Sequence, residues 1–226
     1  MDDAPEGRAE PDAILRAVCT AIPAMRMLPA LAATASLATL AGGIDATIRD
    51  GTGAPLADAV VWAVPRPGPA PRVPRTAEIE QKDRQFRPRV TVVEVGAAVS
   101  FPNRDPYRHH VYSFSPAKRF EIKLYVGTPA DHVVFDKPGE VVLGCNIHDD
   151  MLGYVYVVDT PWHAKSDDRG RARLEGLPAG EYEVRAWHHQ QAAALAPQGI
   201  RVADDANVTL AFGFALRPMP PRPVPR

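Results

Sequence analysis

From residue 44 onward, the chain consists of short apolar or alternating segments separated by turn residues. Residues 59–64 read Ala-Val-Val-Trp-Ala-Val and end at a proline, and residues 90–95 contain four valines and end at a glycine. Such runs are typical of β-strands, and many of them at short spacing are typical of a sandwich or a barrel. No segment has the pattern of a long amphipathic helix, and only residues 190–196 could form a short helical turn. The sequence therefore predicts an all-β fold.

The first 41 residues differ from the rest of the chain. Residues 1–24 are polar and acidic and fit no targeting pattern, so we interpret them as an over-called translation start. Residues 25–41 combine a positive charge, an apolar run and small residues at two cleavage positions, which indicates a signal peptide. The alternative is an N-terminal membrane anchor, for which the run is short and rich in alanine. We therefore expect a periplasmic or secreted protein whose mature chain has no membrane span.

Seven consecutive residues carry three different types of metal ligand. Cys145, His148 and Met151 follow the spacing Cys-x2-His-x2-Met, and His109 lies upstream beside His110. A thiolate, two imidazoles and a thioether are the ligands of a mononuclear copper electron-transfer site. Once the leader is removed, Cys145 is the lone cysteine in an oxidising compartment, where a bound metal would protect its thiol. The alternative is a buried, inert cysteine.

Residues 79–158 resemble the cupredoxin family, the group of plastocyanin and amicyanin. The resemblance rests on Phe86-x-Pro88, on Val99-x-Phe101-x-Asn103-x-Asp105, on a His-x-Val step and on the Cys-His-Met loop. The short loop spacing is that of amicyanin, the cupredoxin of methylamine-oxidising bacteria, so a methylamine-utilisation type of protein is worth considering. The family implies one type 1 copper ion, a Greek-key sandwich or barrel and single-electron transfer.

The family pattern also suggests a role for each ligand. It implies that His109, Cys145 and His148 are equatorial ligands and that Met151 is axial. The family often has asparagine after the first histidine, where this chain has His110. Either His109 binds the metal and His110 supports it by a hydrogen bond, or the two roles are reversed.

The flanking segments resemble a second family. Residues 44–66 and 162–216 carry the turn-and-strand pattern of a carboxypeptidase-regulatory-like sandwich, of the immunoglobulin or transthyretin type. Residues 76–159 then form a cupredoxin domain inserted into a loop of that discontinuous sandwich, with a proline-rich strap at one junction. Residues 217–226 are a proline-rich tail that we expect to be disordered.

The sequence favours a periplasmic electron carrier over two alternatives. A copper-handling carrier that binds and releases the ion is the first, and a metal-free binding module is the second. A formal net charge of −1 and the lack of a basic stripe argue against nucleic-acid binding, so the expected partner is a redox protein of unknown identity. We predict no enzymatic activity, because a copper enzyme such as a nitrite reductase would need a second histidine cluster.

Overall fold

The computed structural model describes residues 41–71 and 75–218, and within them the chain forms β-strands and no helix. Helices that could cross a membrane are accordingly not found among these residues. In chain order the strands are β1 Gly42–Asp50, β2 Val60–Arg66, β3 Ala77–Glu78, β4 Glu80–Lys82, β5 Gln85–Arg87, β6 Val90–Glu94, β7 Ala97–Ser100, β8 His109–Ser115, β9 Lys118–Tyr125, β10 Val133–Phe135, β11 Gly139–Cys145, β12 His148–Val158, β13 His163–Lys165, β14 Arg171–Leu177, β15 Gly180–Trp187, β16 Gln198–Val202 and β17 Asn207–Phe214. The predicted all-β class is confirmed. Residues 190–196 form no helical turn.

Several predictions concern residues outside this description. The proposed over-called start at residues 1–24 lies there, as do the signal peptide at residues 25–41 except for Ala41, and the tail from residue 219. These three interpretations remain predictions.

The middle of the chain, residues 77–158, builds one sandwich. Its larger sheet has the order β6-β12-β11-β8-β9, and its smaller sheet has the order β10-β7-β3. Between them lies a core of buried apolar side chains that includes Phe101, Phe135, Leu143 and Val155. Phe86 closes this core against Gly153, where a Cβ atom would lie 2.8 Å from the Cβ of Phe86. Glycine at that position therefore permits the close packing of β5 on β12.

The flanking residues 42–66 and 163–214 build a second sandwich. One sheet has the order β14-β1-β17 and the other has the order β13-β2-β15-β16. Their common core includes Ile44, Ile48, Leu174, Val184 and Phe214, each at most 1% exposed. Strands from both ends of the chain meet here, because β1 pairs with β17 along eight residues in parallel register.

Aromatic side chains join the two sandwiches. Trp62 of β2 and Trp187 of β15 lie against Tyr156 on the outer face of β12, with ring centroids 4.9 and 4.7 Å apart. Lys165 of β13 adds a polar contact, since its ammonium group donates to the carbonyl of Val90 at 3.1 Å. The outer face of β12 is therefore part of a third apolar cluster, which is shared between the two sheets.

Two strands begin earlier than the sequence indicated. In the sequence, the alternation of apolar residues starts at Val111 in one strand and at Gly153 in the other. In the structure β8 begins at His109 and β12 begins at His148. Cys145 pairs with His148 across a two-residue turn, so this part of the motif forms a tight hairpin.

Candidate metal centre

The ends of three neighbouring strands bring the predicted ligands together. Cys145 is the last residue of β11, His148 is the first residue of β12, and His109 is the first residue of β8. Because β11 is antiparallel to both β8 and β12, the end of β11 and the starts of β8 and β12 lie at the same end of the five-stranded sheet. Local hairpin pairing therefore positions Cys145 and His148, and sheet pairing adds His109 from 36 residues upstream.

The three side chains point their ligand atoms at one another. Nδ1 of His109 is 3.8 Å from Sγ of Cys145, and Nδ1 of His148 is 3.7 Å from the same sulfur. The three ligand atoms all lie within 4.8 Å of one another. Metal bonds of about 2.0 Å to nitrogen and about 2.3 Å to sulfur, at an angle of about 120°, separate N and S by about 3.7 Å. The spacing thus suits two imidazoles and a thiolate around a common ion.

Met151 is buried in the same apolar core as Cys145. Met151 is 1% exposed and Cys145 is 3% exposed, and both belong to the apolar core of the sandwich built by residues 77–158. Met151 lies three residues into β12, past the hairpin turn. A buried thioether, a buried thiol and two imidazoles are the soft and intermediate ligands that suit copper.

His110 lies apart from this group. Its Nε2 is 2.9 Å from a carboxylate oxygen of Glu121 on β9, whereas His109 faces Cys145. Neighbouring residues on a strand point to opposite faces of the sheet, which explains why only one of the two histidines reaches the cluster. The side chain of His110 therefore contacts β9 and not the three ligand residues.

A buried carboxylate, Asp105, contacts the site. It is part of the family-like segment in the sequence, where it had no assigned role. Oδ2 of Asp105 is 2.7 Å from Nε2 of His109, and both side chains are buried. Burial opposes ionisation of Asp105, but hydrogen bonds from His109 and from the backbone N–H groups of Arg84 and Asp83 outweigh it and lower the pKa of Asp105 to about 2. The sequence offered only an acidic residue four positions before His109, and this spacing by itself implies no contact.

The side of the cluster near His148 faces solvent. His148 is half-buried, and Ile147 in the turn is exposed. Tyr107 packs edge-on against His109, with ring centroids 5.2 Å apart, and its centroid is 6.0 Å from that of His148. Burial lowers the pKa of His148, which favours the neutral imidazole that metal binding requires.

The remaining histidines of the described part lie elsewhere. His132 is exposed beside β10, and His163 faces Glu94 at 3.7 Å. His188 and His189 are buried just after β15 of the second sandwich, with ring centroids 4.3 Å apart, and the ring of His189 lies against that of Tyr154.

Comparisons with known proteins find distant similarities only among solved structures. No family model and no curated protein matches the chain. A purple cupredoxin from Nitrosopumilus maritimus is 21% identical with a TM-score of 0.33, over 36% of this chain and 99% of the other. An oxidised amicyanin variant is 18% identical with a TM-score of 0.34, over 43% of this chain and 99% of the other. A copper-containing nitrite reductase from Thermus scotoductus is 22% identical with a TM-score of 0.35, and this chain spans only 28% of its length. None of these similarities assigns the chain to a family.

Proposed function

We propose that the chain is a type 1 (blue) copper protein that transfers single electrons. One observation carries the proposal: the Nδ1 atoms of His109 and His148 lie 3.8 and 3.7 Å from the sulfur of the buried Cys145. That spacing matches two imidazoles and a thiolate that share one ion in a trigonal arrangement.

The donor set favours copper over zinc. Structural zinc sites are tetrahedral and use cysteine, histidine and carboxylate ligands, whereas a thioether beside two imidazoles and one thiolate is typical of blue copper. Met151 is buried in the same core as Cys145. His109, Cys145 and His148 would therefore hold the ion, with Met151 as the weak fourth ligand. Copper supplies a one-electron couple, and the chain supplies fixed ligands and a site shielded from water.

Burial of the ligands favours electron transfer over copper delivery. His109, Cys145 and Met151 are each at most 3% exposed, and only His148 is half-buried. An ion held by three buried side chains has little access to an acceptor protein that must provide new ligands. An electron, in contrast, can leave through the exposed edge of one imidazole. Exchange of Cu(I) to a chelator within seconds would favour the carrier instead.

The decisive test is the visible spectrum of the full chain after addition of Cu(II). A thiolate-to-copper charge-transfer band should appear in the wild type and should be absent in Cys145→Ser. The Cys19→Ser variant is the matched control, because it removes the chain's other thiol and should keep the band. Voltammetry should show a reversible one-electron wave. A colourless wild type that copper does not stabilise against heat would favour a metal-free module, since a ligand that binds only the native state must stabilise it.

Three further parts of the proposal concern the setting of this site. We propose export to the periplasm or the medium, which N-terminal sequencing of the protein from cell fractions tests. The proposed partner is a redox protein, and the amicyanin-like loop spacing makes an amine-oxidising system the first candidate to assay. We propose no catalysis of the chain's own, and turnover of nitrite by the copper-loaded protein would contradict this.

We also propose that residues 76–159 are a cupredoxin domain inserted into a carboxypeptidase-regulatory-like domain of residues 44–66 and 162–216. Support comes from the two separate cores, each of which draws its side chains from one of these parts. The proposed copper ligands all lie in residues 76–159. Hydrogen exchange should therefore slow in that part on metal addition and change little in β1 and β17. Equal slowing in both cores would argue for a single domain.

A further inference from the structure

We propose that Asp105 is a positioning residue of the metal centre, which fixes the tautomer and orientation of His109 and favours the oxidised state of the bound ion. This inference rests on the proposed function, because it concerns the same site. It assigns a role to a side chain that lies outside the ligand set.

The contact between Asp105 and His109 determines which nitrogen carries the proton. Oδ2 of Asp105 is 2.7 Å from Nε2 of His109, and both residues are buried, His109 completely. A carboxylate can only accept a hydrogen bond, so Nε2 must be protonated. The neutral ring then has its lone pair on Nδ1, the atom that lies 3.8 Å from Sγ of Cys145. Asp105 therefore selects the tautomer that can bind a metal at this position.

Backbone groups hold the carboxylate itself in place. Oδ1 accepts from the N–H of Asp83 at 2.8 Å, and Oδ2 accepts from the N–H of Arg84 at 3.0 Å. Asp83 and Arg84 form the turn between β4 and β5, with positive φ angles of 55° and 57°. The N–H of Asp105 donates in turn to Oδ1 of Asn103 at 3.0 Å. The orientation of His109 is thus set by a rigid hairpin turn through one side chain.

The charge of Asp105 also distinguishes the two oxidation states. Only the imidazole ring of His109 separates Asp105 from the point between the three ligand atoms where the ion would bind. Only 7% of Asp105 is exposed. A buried negative charge interacts more strongly with its surroundings than an exposed one, and it attracts Cu(II) more than Cu(I). Asp149 and Asp150 next to His148 are exposed, so water screens their charges. Asp105 is therefore the carboxylate with the largest expected influence on the potential.

The test compares Asp105→Asn with Asp136→Asn in the full chain. Asn at position 105 keeps the size and one acceptor oxygen but removes the charge. Asp136 is exposed and pairs with Lys118 at 3.1 Å, so its variant removes an equal charge without touching His109 or the turn that holds Asp105. Loss of a residue that orients a metal ligand costs about 10–100-fold in metal affinity. We expect Asp105→Asn to weaken Cu(II) binding by this factor and Cu(I) binding much less.

Voltammetry measures the same effect on the potential. A 10–100-fold loss in Cu(II) affinity alone raises the midpoint potential by about 60–120 mV at about 59 mV per tenfold change. Asp136→Asn should leave both the affinity and the potential at the wild-type values. A purely structural role would lower the thermal stability of Asp105→Asn without raising the potential. Wild-type affinity and potential in Asp105→Asn would overturn the inference.

An NMR measurement separates failure of this inference from failure of the proposed function. In the metal-free wild type, the ring of His109 should be protonated at Nε2, and in Asp105→Asn the Nδ1–H tautomer should gain population. A wild type that binds no copper would overturn the proposed function, and the tautomer result would still decide the role of Asp105. If Asp105→Asn does not fold, an Nδ1–H tautomer in the wild type would overturn the inference, and an Nε2–H tautomer would support it.

Discussion

Nδ1 of His109 lies 3.8 Å from Sγ of Cys145, although 36 residues separate them in the chain. The contact exists because β8 and β11 are antiparallel neighbours, with Tyr112 opposite Gly144. The start of β8 therefore meets the end of β11. His110, one residue later, is on the opposite face and pairs with Glu121.

This alternation predicts a sharp difference between two adjacent alanine variants. His109→Ala removes an inward-facing ligand and should reduce the Cu(II) affinity by at least 100-fold and abolish the blue absorption. His110→Ala removes a hydrogen bond to a largely exposed carboxylate and should change the affinity less than about threefold, with a loss in stability of about 1 kcal/mol. Competition titration against a chelator of known affinity measures both values. Loss of the colour in His110→Ala with retention in His109→Ala would reverse the assignment.

How much of the site was predictable depends on how far apart its residues lie in the chain. The Cys-x2-His-x2-Met spacing indicated that Cys145 and His148 share a location, because a hairpin brings residues three apart together. The role of Asp105 was not predictable, since it depends on the turn at Asp83 and Arg84, more than 20 residues upstream. Its position relative to His109 follows from tertiary packing, which no local pattern reports.

The fold shows the same limit. Alternating segments and turn residues were sufficient to predict the all-β class. The contact of Trp62 with Tyr156 was not predicted, because a strand pattern shows that a face is apolar but not which sheet covers it. Likewise, the sequence did not show that β8 begins at His109, since the hydrophobic alternation starts only at Val111.

The absence of a side chain at Gly144 provides a second test of the site's surroundings. A Cβ atom at this position would lie 2.7 Å from Cζ and 2.8 Å from Oη of Tyr112. Gly144→Ala must therefore displace the ring of Tyr112 or shift β11, and overpacking of this kind costs about 1–3 kcal/mol. Urea denaturation of the metal-free protein measures the loss. In a Tyr112→Leu background the same substitution should cost at least 1 kcal/mol less. An equal cost in both backgrounds would show that the ring is not the obstacle.

The aromatic contact between the sandwiches should contribute strongly to stability. Trp62 is 7% exposed, and its ring centroid lies 4.9 Å from that of Tyr156. Trp62→Ala should lower the free energy of unfolding by about 3–5 kcal/mol, as for other large buried aromatic residues. Phe114→Ala is the control, because Phe114 is 74% exposed and its loss should cost no more than about 0.5 kcal/mol. Circular dichroism during urea denaturation follows both. A loss below 1 kcal/mol for Trp62→Ala would show that the sandwiches are stable without this contact.

Buried histidines should make the metal-free protein sensitive to acid. Burial, and then the neighbouring His188, lower the pKa of His189 to about 4, and its Nδ1 has no hydrogen-bond partner. In the unfolded chain the pKa of histidine is about 6.5. Between these values the unfolded state binds more protons, so the free energy of unfolding falls as the pH falls from about 6.5 to about 4.

The contribution of His189 amounts to about 1–2 kcal/mol, because the imidazole retains some contact with water and its charge is partly screened. The test is urea denaturation of the metal-free protein at a series of pH values between 4.5 and 7.5. His189→Gln should flatten the decline by this amount, whereas His132→Gln, which changes an exposed histidine, should leave the slope unchanged. His163 and His188, whose pKa values burial also lowers, account for part of the remaining slope. An unchanged decline in His189→Gln would show that His189 is not held neutral in the folded protein.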